Sequence, residues 1–269
     1  VLPLLERLAP EEPLPESRGE LFAVIQKDIN AFDLETELAP EDQRLLRVRL
    51  SCDSRRNALL VRRVMETGAK TLADVTRILH DRPEILRTLP AFFPIQITGR
   101  CPQSCSYCPY PGFGGGIEKR TDELSVQDFR RMMEEIRKFA DDGVIGFSLW
   151  GEPSFHSSIV EMIQEAVSVP GFSLLVETSG IGWKPGDAER ILALAGAITW
   201  IVSLDAWDPA LYRKLRGNGM EEAVSFAREL LRLAPGSTHV QAVRMKENEE
   251  DIETFYREWK GITENVIIQ

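Results

Sequence analysis

Cysteine and histidine are scarce in this 269-residue chain, at four and three, and three of the four cysteines crowd into one stretch. That distribution excludes a disulfide framework, which uses dispersed pairs in small secreted domains, and points to reduced thiols in a cytoplasmic setting. Cys52 stands apart and reads as a small core hydrophobe or an idle thiol. Long apolar runs are missing too: none reaches the roughly 18–20 residues of a membrane span. Positive charge is in deficit, with 32 Lys and Arg against 42 Asp and Glu, which argues against nucleic acid as a partner. The first residues, Val1-Leu2-Pro3-Leu4-Leu5-Glu6-Arg7, lack the charged start and cleavage site of a secretory signal, and the missing initiator Met points to a cut N-terminus. A phosphate loop is absent as well. Gly112-Phe113-Gly114-Gly115-Gly116 has the glycines but not the following Lys-Ser/Thr, and reads as a flexible loop.

What is present is enough apolar residue, 43%, to bury one large domain, or one plus a small one. Residues 1–18 carry Pro3, Pro10, Pro13 and Pro15 and read as an irregular leader. A helix is expected at 19–30, strands near 32–38 and 45–51, and helices at 55–66 and 72–79. From about residue 90 the pattern becomes regular. Strands expected near 93–98, 143–149, 172–177, 198–204, 238–245 and 264–268 alternate with helices near 125–140, 157–168, 187–195, 209–232 and 249–260. Val126, Phe129, Met132, Met133, Ile136 and Phe139 form one apolar stripe, so both methionines are expected in the core. Ser125 with Asp128, and Asp208-Pro209, supply helix starts. The expected fold is α/β: a partial (β/α)6 TIM-like barrel with parallel strands covered by helices, preceded by a small α+β N-terminal region. The division falls at residues 1–90 and 91–269, and a parent protein continuing beyond the sixth strand is expected.

The concentrated thiols are Cys101-Pro102-Gln103-Ser104-Cys105-Ser106-Tyr107-Cys108, spaced Cys-x3-Cys-x2-Cys on the loop leaving the first strand. Thiolates on one short loop can converge on a metal centre. Three ligands suit a [4Fe–4S] cube with one iron open to a non-protein ligand. In parallel α/β folds, sites form at the C-terminal ends of strands. The other strand exits do carry polar residues: Gly151-Glu152-Pro153 after the second strand, Glu177-Thr178-Ser179 after the third, Ser203-Leu204-Asp205 after the fourth and Arg244 on the fifth. His156 precedes a helix, where capping or packing is its expected role.

The cysteine spacing with Tyr107 before the last thiol, together with Gly151-Glu152-Pro153, resembles the radical S-adenosylmethionine (radical SAM) enzymes over residues 90–269. Trp150 stands where the family's segment has a first glycine, and Ser179 where many members have Asn. Residues 203–217, with Arg216, are similar to the branch bearing a C-terminal SPASM extension, which this chain is expected to lack. Residues 1–90 resemble the tail of a nucleotidyltransferase-like domain without its sugar-nucleotide-binding start.

The resemblance implies that Cys101, Cys105 and Cys108 hold the [4Fe–4S] cluster and that its open iron chelates S-adenosylmethionine. An electron then cleaves the C–S bond, and the 5′-deoxyadenosyl radical takes a hydrogen atom from a substrate not yet specified, whether a peptide, a protein or a small metabolite. Glu152, with Gly151 and Pro153 beside it, would accept from the methionyl ammonium, a charge-assisted contact. Arg216 would pair with its carboxylate, Ser203 would contact ribose or methionyl group, and Tyr107 would pack near adenine. Asp205 is the next inward candidate on its strand; Thr178, Ser179 and Arg244 would line the cofactor or substrate side. A small electron donor such as flavodoxin or ferredoxin is the implied partner. Two other readings of the thiols stand beside this one: a zinc-binding structural or regulatory protein, and a simple iron–sulfur electron carrier.

Overall fold

The computed structural model describes residues 48–88, 90–110, 122–147, 149–194 and 196–269. The chain divides into two compact units, Val1–Val48 and Arg49–Gln269. The helix expected at 19–30, the strand at 32–38 and the glycine-rich run at 112–116 lie outside the described residues.

The second unit opens with two helices, α1 (Arg55–Glu66) and α2 (Leu72–Asp81). Ser54 caps α1 by accepting from Asn57 N, and Thr71 and Asp74 close a reciprocal capping box on α2. Arg56 donates to Pro90 O at 2.7 Å and pairs with Asp142 at 3.2 Å, which ties α1 to the segments leading into the first two strands. Residues 48–51 form no strand, contrary to the expected run at 45–51. An alternating run with no partner strand among the described residues has nothing to pair its backbone with.

Six strands make one all-parallel open sheet in sequential order: β1 (Phe92–Ile95), β2 (Gly143–Phe147), β3 (Phe172–Thr178), β4 (Ile198–Ser203), β5 (Thr238–Ala242) and β6 (Val266–Ile268). The crossovers carry α3 (Val126–Arg137), α4 (Ile159–Val167), α5 (Asp187–Leu192), the pair α6 (Pro209–Arg216) and α7 (Met220–Leu233), and α8 (Ile252–Lys260). This is the α/β, partial TIM-like architecture the sequence pattern predicts. Sequential order with right-handed crossovers places every crossover helix on the same side of the sheet. On that side Leu174, Val176, Trp200, Val202, Val240 and Ala242 are fully buried. The opposite face alternates with it and is only part-buried at Ser173, Glu177, Thr199, Ser203 and His239. The strands therefore are not apolar on both sides, as the predicted helix cover implied.

Two further expectations change. The single helix predicted over 209–232 is broken at Gly217-Asn218-Gly219, where φ is +97° and +103° at the two glycines. A side chain is disfavoured in that left-handed region, so glycine ends α6 and lets the chain turn into α7. Met133 is buried, whereas Met132 is 37% exposed. Adjacent helical positions stand about 100° apart, so both cannot point at the core. Elsewhere the capping signals hold: Ser125 accepts from Asp128 N at 3.0 Å, and Asp208 accepts from Leu211 N at 2.7 Å. His156 is buried, accepts from Ser158 N through Nδ1 at 3.1 Å, and directs Nε2 to Leu124 O at 2.8 Å.

Trp200 sits at the centre of the helix-side core, edge-on to Trp183 and Phe226, whose own rings are stacked 5.1 Å apart. Its indole N–H is buried without a partner. Trp200→Ala is expected to lower the unfolding free energy by about 3–5 kcal/mol. Trp200→Phe should cost less, because it removes the unpaired N–H along with the lost volume. Chemical denaturation of both variants checks the order.

Candidate functional site

The cysteine loop leaves the C-terminal end of β1 and docks on the C-terminal end of α6. A helix terminus leaves its last carbonyls without intrahelical partners. Here the loop supplies them: Ser106 N donates to Leu215 O at 2.8 Å and Ser104 N to Arg216 O at 3.1 Å. Gly217 is needed at this contact for a second reason, since a β-carbon there would stand 3.0 Å from Ser104 Oγ.

Side chains reinforce the joint. Arg216 donates through Nε and Nη2 to Gln103 Oε1, at 3.0 and 2.7 Å, and through Nη1 to Tyr107 Oη at 2.9 Å. The same Nη1 pairs with Asp205 Oδ2, which also accepts from the Tyr107 hydroxyl. Gln103 passes its amide N–H to Tyr212 Oη at 2.9 Å. Asp205 and Arg216 are almost wholly buried, with side chains 1% and 8% exposed. Burial works against the Arg216 charge, but the Asp205 carboxylate, Tyr107 and Cys105 together outweigh it, so the guanidinium is held above its ordinary range. Tyr107 is 40% exposed as a residue, yet its hydroxyl end is turned into the network; burial, opposed by Arg216, pushes its ionisation up.

Asp205 lies beyond the end of β4 at φ +64°, one of two non-glycine residues with positive φ among those described; the other is Leu149, at the exit of β2. Its conformation is held from three sides. Val243 N donates to its Oδ1 at 2.8 Å, Asn248 Nδ2 donates to its carbonyl at 2.9 Å, and Arg216 takes the other oxygen. Strain over-determined in this way is found at functional sites.

A second polar clamp spans the exits of β2 and β3. Glu152 is 3% exposed; Thr178 Oγ1 and, at 3.3 Å, Ser154 Oγ donate to its Oε1, and Ser179 N donates to Oε2 at 2.7 Å. Burial raises the Glu152 carboxyl above the usual range while these donors act in the opposite direction. Trp183 Nε1 and Gly180 N in turn donate to Thr178 Oγ1, at 2.9 and 3.0 Å. Gly151 adopts φ +92°, and a β-carbon there would stand 2.1 Å from Thr98 O, so only glycine lets the β2 exit pass so close to the loop leaving β1. Pro153 is buried beside Glu152.

The three loop cysteines are free and part-buried. Burial pushes the Cys101 thiol up to about 11, with the Glu152 carboxylate and Cys105 adding to the effect. Burial also raises Cys105, which feels Arg216, Asp205 and Cys108. Among the described residues, no three Cys, His, Asp or Glu side chains form a group able to hold one metal ion.

The strand exits thus bring together most of the residues singled out in the sequence. Cys101, Cys105, Cys108 and Tyr107 share the loop, Gly151, Glu152, Pro153, Thr178 and Ser179 form one clamp, and Asp205 and Arg216 form the other. Ser203 is half-buried and accepts from Gln241 Nε2 at 3.4 Å. Arg244 stands apart: it lies past the end of β5, is exposed, and pairs with Glu249 and Glu253 on the surface. Gln103, Tyr212 and Asn248 were not foreseen. Tyr212 lies one helical turn before Arg216, the spacing that puts two side chains on one face, and is the only one of the three with a local signal.

The Radical SAM superfamily model matches residues 95–258 of this sequence. The chain belongs to the radical SAM superfamily. It is 32% identical over 263 residues to an uncharacterized protein of Treponema pallidum (strain Nichols), covering 93% of this chain and 72% of that one. It is 24% identical over 164 residues to the GTP 3′,8-cyclase of Vibrio parahaemolyticus, covering 60% of this chain and 48% of the cyclase. To the PqqA peptide cyclase of Rhizobium meliloti it is 33% identical over 105 residues, 37% of this chain and 26% of that one. The chain thus spans about half or less of these two named radical SAM relatives. In fold it is similar to Streptococcus suis SuiB bound to precursor peptide SuiA, with TM-score 0.57 at 16% identity over 93% of this chain and 52% of SuiB. It is also similar to anSMEcpe with bound AdoMet, with TM-score 0.54 at 14% identity over 66% of this chain and 50% of that one. Among the described residues no helix is long and apolar enough to cross a membrane.

Asp205→Asn keeps a residue that tolerates left-handed backbone but leaves the Arg216 charge buried without its counter-ion. It is expected to destabilise the fold by about 3–5 kcal/mol. It should also speed labelling of Cys105 by a thiol reagent in the reduced protein, because the loop loses its anchor. Pairing it with Arg216→Met should recover part of the stability without restoring protection. Denaturation and mass-spectrometric labelling rates check both halves.

Proposed function

We propose that this chain is the catalytic core of a radical SAM enzyme in which Cys101, Cys105 and Cys108 hold a [4Fe–4S] cluster beside a bound S-adenosylmethionine. The observation that carries the proposal is the attachment of one three-thiol loop, through its own backbone and Gln103, to a buried Arg216–Asp205 pair, with Glu152 clamped at the neighbouring strand exit.

The donor set fits the cluster. Soft thiolates on one loop are its usual protein ligands. A structural zinc site closes with four ligands at one centre, and the loop supplies three. When bound, the cluster and S-adenosylmethionine supply reductive cleavage of a carbon–sulfur bond and abstraction of a hydrogen atom from substrate.

The chain's own residues have four tasks. The α6 joint holds the loop in one place, and Cys101, Cys105 and Cys108 would give up their thiol protons to serve as ligands. Glu152, already oriented by Thr178 and Ser179, would accept from a ligand ammonium, whose charge would favour the ionised carboxylate that burial disfavours. Arg216 is committed to Gln103, Tyr107 and Asp205, so it acts first as a positioning residue for the loop; any contact with a ligand carboxylate would add to that. Tyr107 presents its part-exposed ring beside Cys108 and Ser203 its hydroxyl from β4, as ligand-facing groups.

A peptide or protein is the proposed substrate class, supported by the PqqA peptide cyclases among the relatives and the SuiA-bound structure among the fold neighbours. A reduced flavodoxin or ferredoxin is the proposed electron donor.

Anaerobic reconstitution tests the reading. A brown protein with about four irons and four sulfides per chain, lost on replacing Cys101, Cys105 or Cys108 with Ser and kept on replacing Cys52, is the expected result. A colourless protein with one zinc would sink it. Glu152→Gln should weaken S-adenosylmethionine binding by about tenfold or more, the loss of one charge-assisted hydrogen bond, with cluster content unchanged. Equilibrium binding to the reconstituted protein reads that difference.

A further inference from the structure

The face of the sheet opposite the crossover helices is the wrong composition for a packed interior. Barrel interiors are filled mainly by Val, Ile and Leu. Here Ser173, Glu177, Thr199, Ser203, His239 and Gln241 alternate onto this face from β3, β4 and β5, with Leu175 and Ile201 as its apolar positions on those strands. The register sets them in rows, since cross-strand partners point to the same side. Glu177 is opposite Ile201, and Ile201 is opposite His239. One row further along, Ser203 is opposite Gln241 and Gln241 opposite Ile267. With strands about 4.8 Å apart, the Glu177 and His239 backbones are about 10 Å apart across Ile201.

Both ionisable groups in the first row lack partners. Glu177 has no hydrogen bond or ion pair among the described residues, and burial alone pushes its carboxyl upward. His239 Nδ1 is buried with no partner. Glu177 is part-buried and His239 Nδ1 is buried, so both forgo a pairing that a ligand on this face can supply. The second row differs. Gln269 Nε2 donates to Gln241 Oε1 at 3.0 Å and Gln241 Nε2 to Ser203 Oγ at 3.4 Å, so the amides satisfy one another and Ser203 keeps its own proton to donate. Among the strand residues of this face Glu177 is the only acidic or basic side chain apart from His239, and no Lys or Arg is present. It lies one residue before Thr178, which holds Glu152, so the face continues directly from the strand-exit site.

We propose that Glu177, on this face that no described helix covers, selects a cationic nitrogen group of the substrate, an ammonium or guanidinium, while His239 hydrogen-bonds the same ligand across Ile201. The inference deepens the proposed function by giving a chemical class to its substrate: a peptide presenting a basic side chain fits it, and a neutral or acidic one does not.

The test uses the full chain, reduced and without cluster, titrated with N-acetyl-lysine methylamide, N-acetyl-arginine methylamide and N-acetyl-norleucine methylamide. The cationic probes are expected to bind at least about tenfold tighter than the norleucine probe, with the lysine and arginine arms separating ammonium from guanidinium. Glu177→Gln should bring all three to the same affinity. The chain has three histidines, so the His239 imidazole resonance is assigned by its disappearance in His239→Gln, and it should shift as the cationic probes bind. Equal binding of charged and neutral probes, a preference that survives Glu177→Gln, an unmoved His239 signal, or no saturable binding of either cationic probe overturns the proposal. Iron and sulfide content after reconstitution of the same preparations scores the cysteine assignment separately, so the two can fail independently.

Discussion

The site depends on one joint, the docking of the cysteine loop against the last turn of α6. A loop of short residues and free thiols has little apolar surface of its own with which to hold a shape. It gains one by capping carbonyls that the helix leaves unsatisfied, and by placing Gln103 where Arg216 can fork onto it. The guanidinium can sit in that buried place only because Asp205 neutralises it, and Asp205 adopts its left-handed backbone only because Val243 and Asn248 hold it there. The chain of dependence runs from β5 through β4 and α6 to the thiols. Buried pairs of this kind add little net stability, but removing one member is severe. Their contribution here is to fix which arrangement of the loop is allowed.

The Glu152 clamp acts in a complementary way. It joins the exits of β2 and β3 through a carboxylate whose oxygens are both engaged, and Gly151 lets that exit press against Thr98 O where any side chain would collide. The loop is thus bounded on one side by a cation held in place by an anion, and on the other by an anion held in place by hydroxyl and backbone donors. An amino-acid-like ligand carries both signs of charge. Under the proposed function, Glu152 would meet the positive end of such a ligand, while Arg216, already paired, would chiefly hold the loop.

Much of this was legible in the sequence, and the reasons for the exceptions are physical. Strand–helix alternation and capping signals are local, so the six strands and their order followed from periodicity. The thiols and Glu152 were visible because their residue types are costly to place at strand exits without purpose. Arg216 was visible as a candidate, but its burial in an ion pair was not, because its partners Gln103 and Asp205 are remote in sequence or separated from it by a helix. The break at Gly217 was missed because an amphipathic pattern runs through it, and only its positive φ and the approach of Ser104 show why glycine stands there. The polar face of the sheet was in plain view as alternation at Ser173, Glu177, Thr199 and His239, yet an apolar reading of the strands hid it. Asn248, 43 residues from the Asp205 carbonyl it braces, left no local trace.

The one-sided placement of the helices divides the labour of the sheet between its two surfaces. Trp200, Val202, Val240 and their neighbours on the covered side carry the cohesion of the unit, and their volumes are constrained by every side chain they touch. Residues of the other parity are only part-buried at Ser173, Glu177, Thr199, Ser203 and His239. Exchanges at Ser173, Glu177 or Thr199 are therefore expected to cost folding less than exchanges at Trp200 or Val202. A scaffold built this way can diverge in substrate along alternate positions of the same strands while the intervening positions keep the fold unchanged.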